Sequence, residues 1–397
     1  NCTDKRAVYR LLPQCGNAHF LITTRDSTWL SDAPGISVGK LREDEALAWC
    51  LERLPGIPES DCKTLLDAVE RIPLAMAQAS SYIMTTGCPV PAYIAELQRR
   101  RVELLDDSET IPLQYDQQKT LIATILMSVE VLLSGSAPGG QDAKKTALEI
   151  LGRCSLLSPS GIPLYLAALG LQSESAIYAG IRELKKLSLV EIHSGLLSMH
   201  RIVQEVVRSV SASDSIETFL EAFQFVLAEQ LAEGISARRW NLVHPLIEHA
   251  YHVAGNIQHL ATPTVNTVAL LANTANAFGI LYGDFGRAKT LLRRALDILG
   301  NISARDKEYR LAATLVGLAE VSYNAREHAE ALAIATEGRS ILERKESLAE
   351  EERRILLRAY LVEMNASVAL GSTAEAGRAS LRAHTLLAKY DFDLTTR

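Results

Sequence analysis

The sequence lacks several features that would place it in a specialised class of protein. Its six cysteines include no CxxC pair, which argues against a zinc module and against a disulfide framework. No stretch approaches the ~18 consecutive apolar residues of a membrane span. No GxxxxGK[ST] phosphate loop occurs in the 397 residues. We therefore expect a cytoplasmic chain with reduced thiols and no membrane contact.

An excess of positive charge is also missing. Lysine and arginine number 41 against 47 aspartates and glutamates, for a formal net charge of −6. Such a chain has no surplus of cations with which to neutralise phosphates, so nucleic acid is not an expected partner. Apolar residues make up 48% and aromatic residues only 6%, a balance typical of helix-rich proteins. The length exceeds what one compact core supports, so we expect several domains.

The clearest strand pattern lies near the start of the chain. Residues 18–24 are apolar and β-branched, and the charged pair Arg25 and Asp26 follows them directly. Thr24 and Arg25 would stand at the end of a buried strand, where a guanidinium suits an anionic phosphate. The same arginine could equally be a surface residue.

Helical periodicity begins at about residue 43 and continues to about residue 116. Pro73 stands at the start of one predicted helix, followed by Leu74. A proline costs nothing there, because the first helical N–H has no partner within the helix. The ring of Pro73 could pack on a flat base or simply begin the helix.

Residues 117–213 follow the order of a winged-helix domain. Three helices precede a β-hairpin with Ser194 and Gly195 at its turn, and a further helix begins at His200. The last helix carries few cations, so a structural role is a better interpretation than DNA binding. His200 could donate a hydrogen bond to an anion at this helix N-terminus or only cap it.

The C-terminal third contains an internal repeat. The helical patterns around Ala288, Ala331 and Ala376 can be aligned, at spacings somewhat longer than the ~34 residues of a minimal tetratricopeptide unit. A helix with small residues precedes each of them, which suits stacked helix pairs. We predict a helical linker over residues 214–264 and a tetratricopeptide-like α-solenoid over residues 265–397. Its stacked surface suits a peptide or protein ligand.

Histidines occur at 244, 249, 252 and 259 in the segment before the repeats. His249 and His252 would share a face of one helix, a separation that a metal site can use. No carboxylate or cysteine completes such a site, so histidines packed between helices are the better interpretation.

Three motifs in this order resemble the NB-ARC class of STAND signalling ATPases, the NLR-like nucleotide switches. FLITTRD at residues 20–26 resembles the family's sensor strand, RIPLA at 71–75 its GLPLA motif, and LSMHRIVQ at 197–204 its MHD-type motif. The resemblance implies that Arg25 reads the terminal phosphate of ADP or ATP, that Pro73 packs by the adenine, and that His200 holds the β-phosphate of ADP. Arg71 replaces the motif's glycine, and Arg201 replaces its aspartate.

The resemblance also implies a mainly α architecture. Residues 1–42 would be the end of an α/β nucleotide-binding domain, 43–116 an ARC1-like helical domain and 117–213 the winged helix. Because no phosphate loop is present, we expect a C-terminal piece that does not hydrolyse ATP by itself, whereas an intact parent would be a slow, magnesium-dependent ATPase.

The implied function is a defence or regulatory switch. ADP would hold it inactive, a ligand on the repeats would release it, and ATP exchange would permit homo-oligomerisation and activate an upstream effector. Two alternatives remain open: a nucleotide-free tetratricopeptide scaffold, and a transcription regulator with an upstream DNA-binding domain.

Overall fold

The computed structural model describes residues 40–106, 119–133, 141–303 and 306–390. Across these ranges the chain is mainly α, as predicted, with one small sheet. Thr24 and Arg25, and the strand predicted around them, lie outside the described residues, as do all other residues of 1–39, 107–118, 134–140, 304–305 and 391–397.

The N-terminal part of the described chain is a group of helices. They are α1 (Glu43–Arg53), α2 (Glu59–Ala68), α3 (Pro73–Thr86), α4 (Val90–Asp106) and α5 (Lys119–Leu133). Pro73 is the first residue of α3, as its missing N–H allows, and left-handed Gly87 ends the same helix. Helix α5 is apolar on nearly all sides and packs against α3 and α4 on one side.

Residues 141–210 form a winged helix around a three-stranded sheet. Its elements are α6 (Gln141–Leu156), β1 (Ile162–Pro163), α7 (Leu164–Ala167), α8 (Glu174–Lys186), β2 (Glu191–His193), β3 (Leu196–Ser198) and α9 (Arg201–Val210). The strands are antiparallel in the order β1, β3, β2. Ser194 and Gly195 both have positive φ, which suits a two-residue hairpin turn. The two-residue β1 was not predicted, because it is too short to leave a pattern.

Eight further helices stack in successive pairs. They are α10 (Ser213–Ser236), α11 (Trp240–Asn256), α12 (Val265–Ala277), α13 (Phe285–Asn301), α14 (Lys307–Asn324), α15 (His328–Glu343), α16 (Glu350–Ala369) and α17 (Thr373–Lys389). Each helix contacts its pair partner, and the first helix of a pair packs on the first helix of the next. The segment predicted as a linker, residues 214–264, contributes α10 and α11, and α10 packs directly on α12.

Small residues allow the close approach within these pairs. Ala288, Ala331 and Ala376, which the repeat alignment placed at equivalent positions, are all buried. Gly338 of α15 lies so close to α14 that an added Cβ would stand 3.1 Å from Val316 and 3.3 Å from a backbone oxygen. The predicted α-solenoid is therefore confirmed, and its packing depends on side chains of minimal size.

Apolar packing is distributed unevenly along the chain. One continuous core runs from α1 through the winged helix to α13 and reaches α14 at Leu318 and Val321. The last two helix pairs instead build two smaller clusters, one around Leu356 and one around Ala335. Among the described helices, none combines the length and apolar character needed to cross a lipid bilayer.

Candidate functional site

His200 caps the N-terminus of α9. Its backbone is extended, and its Nδ1 accepts a hydrogen bond from the backbone N–H of Ile202 at 3.3 Å. Strand β3 precedes it and fixes the direction from which the chain enters the helix. His200 is exposed, so its ring stands at a helix N-terminus where backbone N–H groups and the helix dipole favour an anion.

The cap also determines which ring nitrogen of His200 carries the proton. Because Nδ1 accepts a hydrogen bond, the neutral ring carries its proton on Nε2. Desolvation lowers the pKa of His200, and the neighbouring Arg201 guanidinium lowers it further, while Glu191 opposes the shift. The ring is therefore neutral near pH 7, with an N–H donor at Nε2.

Pro73 and Leu74 occupy the first turn of α3. Pro73 is exposed and Leu74 is half-buried against the core. Just before them, Arg71 has a φ of 53°, in the left-handed region that glycine favours. No hydrogen bond or ion pair among the described residues joins Pro73 or Leu74 to His200.

Glu70 is a residue that sequence reasoning missed. It also has a left-handed backbone, with φ of 57°. Its carboxylate contacts Lys40 Nζ at 2.7 Å, Thr120 Oγ1 at 2.8 Å and Arg101 at 3.7 Å. Hydrogen bonds from Lys40 and Thr120 hold the pKa of Glu70 below its usual range. Glu70 therefore ties α5 and α4 to the segment that leads into α1.

Helix α3 also contacts the winged helix through polar groups. Gln78 Nε2 donates to the backbone oxygen of Ser188 at 2.6 Å, and the hydroxyls of Ser81 and Ser188 share a hydrogen bond of 2.5 Å. Thr85 donates to the backbone oxygen of Lys186 at 3.1 Å. The regular spacing of these polar residues along α3 could have indicated a polar interface from the sequence.

His249 joins the winged helix to the solenoid. Its Nδ1 accepts from the backbone N–H of Ser158 at 3.1 Å, and its Nε2–H donates to the backbone oxygen of Gly161 at 3.0 Å. The side chain is buried, and burial lowers its pKa to about 4. His252 instead bonds to the backbone oxygen of Glu248. No cluster suited to a metal ion occurs among the described residues, and His249 is a histidine packed between helices.

A groove of about 600 Å³ runs along the first helices of three successive pairs, α12, α14 and α16. Asn276, Asn324 and Asn365 line it, together with small residues such as Ala313 and Gly317. Glu320 and Arg358 lie inside it and pair with each other through two hydrogen bonds. The groove lies within the repeats, the region that the sequence analysis predicted to bind a peptide or protein ligand.

Comparison with known proteins yields one structural similarity. No protein-family model matches the sequence, and no curated protein matches it. The fold is similar to that of a signal transduction ATPase with numerous domains (STAND) carrying a tetratricopeptide repeat sensor, from Pyrococcus horikoshii. The identity is 14%, the TM-score is 0.35, and the match covers 88% of this chain and 48% of that one. This chain thus spans about half the length of that protein.

Proposed function

We propose that this chain is the regulatory and sensor portion of a STAND-type nucleotide switch. In this proposal ADP holds the winged helix in an inhibited arrangement, and a peptide or protein ligand binds the repeats. Exchange for ATP then permits self-assembly and activates an effector. The nucleotide-binding strand would be residues 18–24, outside the described ranges, and the phosphate loop would come from outside these 397 residues, which contain no such motif.

The observation that carries this proposal is the geometry of His200. Its Nδ1 is used by the cap of α9, so the Nε2–H is the donor that a phosphate oxygen would accept. Such a contact exists only while the winged helix is docked against the nucleotide. ADP therefore binds the docked state better than the open state and shifts the population toward it.

The other motif residues fit a nucleotide only in part. Pro73 is an exposed ring at the first turn of α3, which suits packing against a base, and Leu74 follows it in the half-buried layer. Thr24 and Arg25 remain predicted contacts of the terminal phosphate. When bound, ADP would supply the anionic bridge, and His200 and Pro73 would contact its two ends.

The test compares three variants of the natural protein that contains this chain. His200→Ala removes both the cap and the Nε2 donor, whereas His200→Asn keeps a capping side chain that is too short to reach a phosphate. Ser173→Ala removes the cap of α8, where Ser173 accepts from Ala176, and serves as the matched control. Bound nucleotide is measured by chromatography, and stability by thermal melting.

Both His200 variants should lose co-purifying ADP, because a hydrogen bond to a charged group contributes ~1.5 to 3 kcal/mol, a factor of ~10 to 150 in the docked population. Ser173→Ala should lower the melting temperature and keep its nucleotide. Full ADP occupancy in both His200 variants would show that His200 is only a cap. A parent without any nucleotide would instead favour the scaffold alternative, and a basic DNA-binding domain upstream would favour the transcription regulator.

A further inference from the structure

The groove on α12, α14 and α16 carries no net charge. Among the described residues that line it, Glu320 and Arg358 are the only charged ones. They face each other in a two-point ion pair, with Arg358 Nε 2.8 Å and Nη2 2.5 Å from the carboxylate oxygens. The chain as a whole has a formal net charge of −6, so this neutral lining differs from the average surface.

Three carboxamides face the groove without a side-chain hydrogen bond to any described residue. They belong to Asn276 on α12, Asn324 on α14 and Asn365 on α16, and all three residues are exposed. A carboxamide presents one acceptor and one donor group, as a peptide unit does. A series of them along one groove can pair with the N–H and C=O groups of an extended main chain.

Two exposed aliphatic side chains lie in the same lining. Ile280 is 51% exposed and Leu361 is 41% exposed. Covering aliphatic surface of this kind stabilises a complex by ~25 cal/mol per Å². Small residues, Ala313 and Gly317, also line the groove, which lets a main chain approach closely.

The ion pair disfavours the binding of a ligand with a charged side chain. A lysine or an aspartate entering the groove would meet a counter-charge that is already engaged, and no other charged residue of the described ranges lines the groove. The side chains of Arg358 and Glu320 in this pair are 42% and 33% exposed. A charged ligand group would have to displace one partner of the pair, or remain unpaired once the ligand covers it, and both outcomes cost free energy. A side chain without charge meets no such cost.

We propose that this groove binds an extended, uncharged peptide segment with aliphatic side chains. Its main chain bonds to Asn276, Asn324 and Asn365, and its side chains cover Ile280 and Leu361. The inference rests on the ligand-sensing role proposed above and defines the chemistry of the ligand.

The test selects peptides from a random twelve-residue phage-display library on the immobilised full chain. An enriched peptide is then synthesised with a fluorophore, and its affinity is measured by fluorescence polarisation. The variants are Asn276→Ala, Asn365→Ala and the matched control Asn301→Ala, whose exposed carboxamide lies on α13 outside the groove. A second set of peptides carries one Lys or one Asp at the centre.

Enriched peptides should share a central run without Asp, Glu, Lys or Arg. Each groove asparagine variant should weaken binding ~3- to 10-fold, as expected for a lost neutral hydrogen bond, and Asn301→Ala should leave it unchanged. A central Lys or Asp should weaken binding ~3- to 10-fold. Glu320→Ala should relieve the penalty for Asp because it frees Arg358, and Arg358→Ala should relieve the penalty for Lys because it frees Glu320.

Three results would overturn the inference: enriched peptides with a charged centre, affinities unaffected by both groove substitutions, or no enrichment above empty support. These results are independent of His200. If the His200 variants lose ADP while charged peptides are selected, the nucleotide switch stands and only this assignment of ligand chemistry fails.

Discussion

Two regions of the molecule are stabilised by different interactions. The first contains the winged helix and the first helix pairs, and the second contains the last two helix pairs. The first region shares one continuous apolar core from α1 to α13, and His249 joins two of its parts with neutral hydrogen bonds. The last two pairs have small separate clusters and rely on charge, as in the contact of Arg339 with Glu363 at 2.7 Å. The first region should therefore lose stability when core side chains are truncated or in mild acid, and the second when charged groups are removed.

The largest expected effect tests the continuous core. Phe223 of α10 is fully buried, whereas Phe225 on the same helix is 55% exposed. Phe223→Ala should lower the free energy of unfolding by ~3 to 5 kcal/mol, because it removes a ring and leaves a cavity. Phe225→Ala should change it by less than ~0.5 kcal/mol. Equal effects in urea titrations would contradict the core assigned to this region.

The second expected effect is a decrease in the free energy of unfolding in mild acid, caused by protonation of His249. The pKa of His249 is about 4 in the folded protein, against ~6.5 in an unfolded chain. Because the unfolded state binds the proton more tightly, the stabilising contribution is complete above pH ~6.5 and is lost as the pH falls toward 4. The loss approaches ~3 kcal/mol at the acid end, since one pKa unit corresponds to ~1.4 kcal/mol.

His249→Asn should remove most of this pH dependence in urea titrations between pH 7.5 and pH 4.5. The repeats provide the contrast, because the hydrogen bond and charge of Lys289, with a further hydrogen bond from Arg293, hold the pKa of Glu330 at about 2. The carboxylate of Glu330 therefore stays charged over this window, and its contribution is lost only at lower pH. An unchanged pH profile in the variant would show that other groups cause the acid sensitivity.

A smaller effect is expected from the charged network of the last pairs. Glu363 is buried and contacts Arg339 of α15 and Arg382 of α17. Glu363→Gln should cost these helices ~1 to 3 kcal/mol, because two arginines lose their counter-charge. Hydrogen exchange should quicken in α15 to α17 and stay unchanged in α6 to α11. Glu337→Gln, at an exposed site on α15, is the control, and uniform quickening throughout the chain would contradict the division into two regions.

The smallest effect is expected from an exposed pair in the same repeats. Arg354 and Glu350 lie one turn apart on α16 at 2.8 Å, with side chains 41% and 61% exposed. Arg354→Ala should change the free energy of unfolding by ~0.5 kcal/mol or less, and less still at high salt. A larger loss in calorimetric melts would mean that isolated surface pairs, and not only the buried network, stabilise the repeats.

Much of the architecture could be predicted from the sequence because it depends on local pattern. Helical periodicity placed Ala288, Ala331 and Ala376 on helices, where the structure has them, and Pro73 marked the start of α3 as its geometry requires. The pattern failed where a structure is very short, as in β1, or where tertiary contacts change the local geometry. After Ala277, the last residue of α12, the chain continues in a π-helical turn at Phe278–Tyr282, which the helical pattern did not indicate.

The candidate nucleotide contacts are less accessible to such reasoning. The motif around His200 predicted a polar residue at a helix start, and the structure places it at the cap of α9. Its role toward a phosphate stays a prediction, as do the roles of Thr24, Arg25, Pro73 and Leu74. Glu70 left no signal, because a non-glycine residue with positive φ is recognised only once the backbone is known.

The sequence by itself determined which segments are helices, because helix periodicity and turn residues act over neighbouring positions. The tertiary structure alone decided that His249 bonds to two backbone groups of a distant turn, and that Glu320 meets Arg358 inside a neutral groove. Such pairings join residues far apart along the chain. They exist because the stacked helices bring those groups within hydrogen-bond distance, which no local pattern encodes.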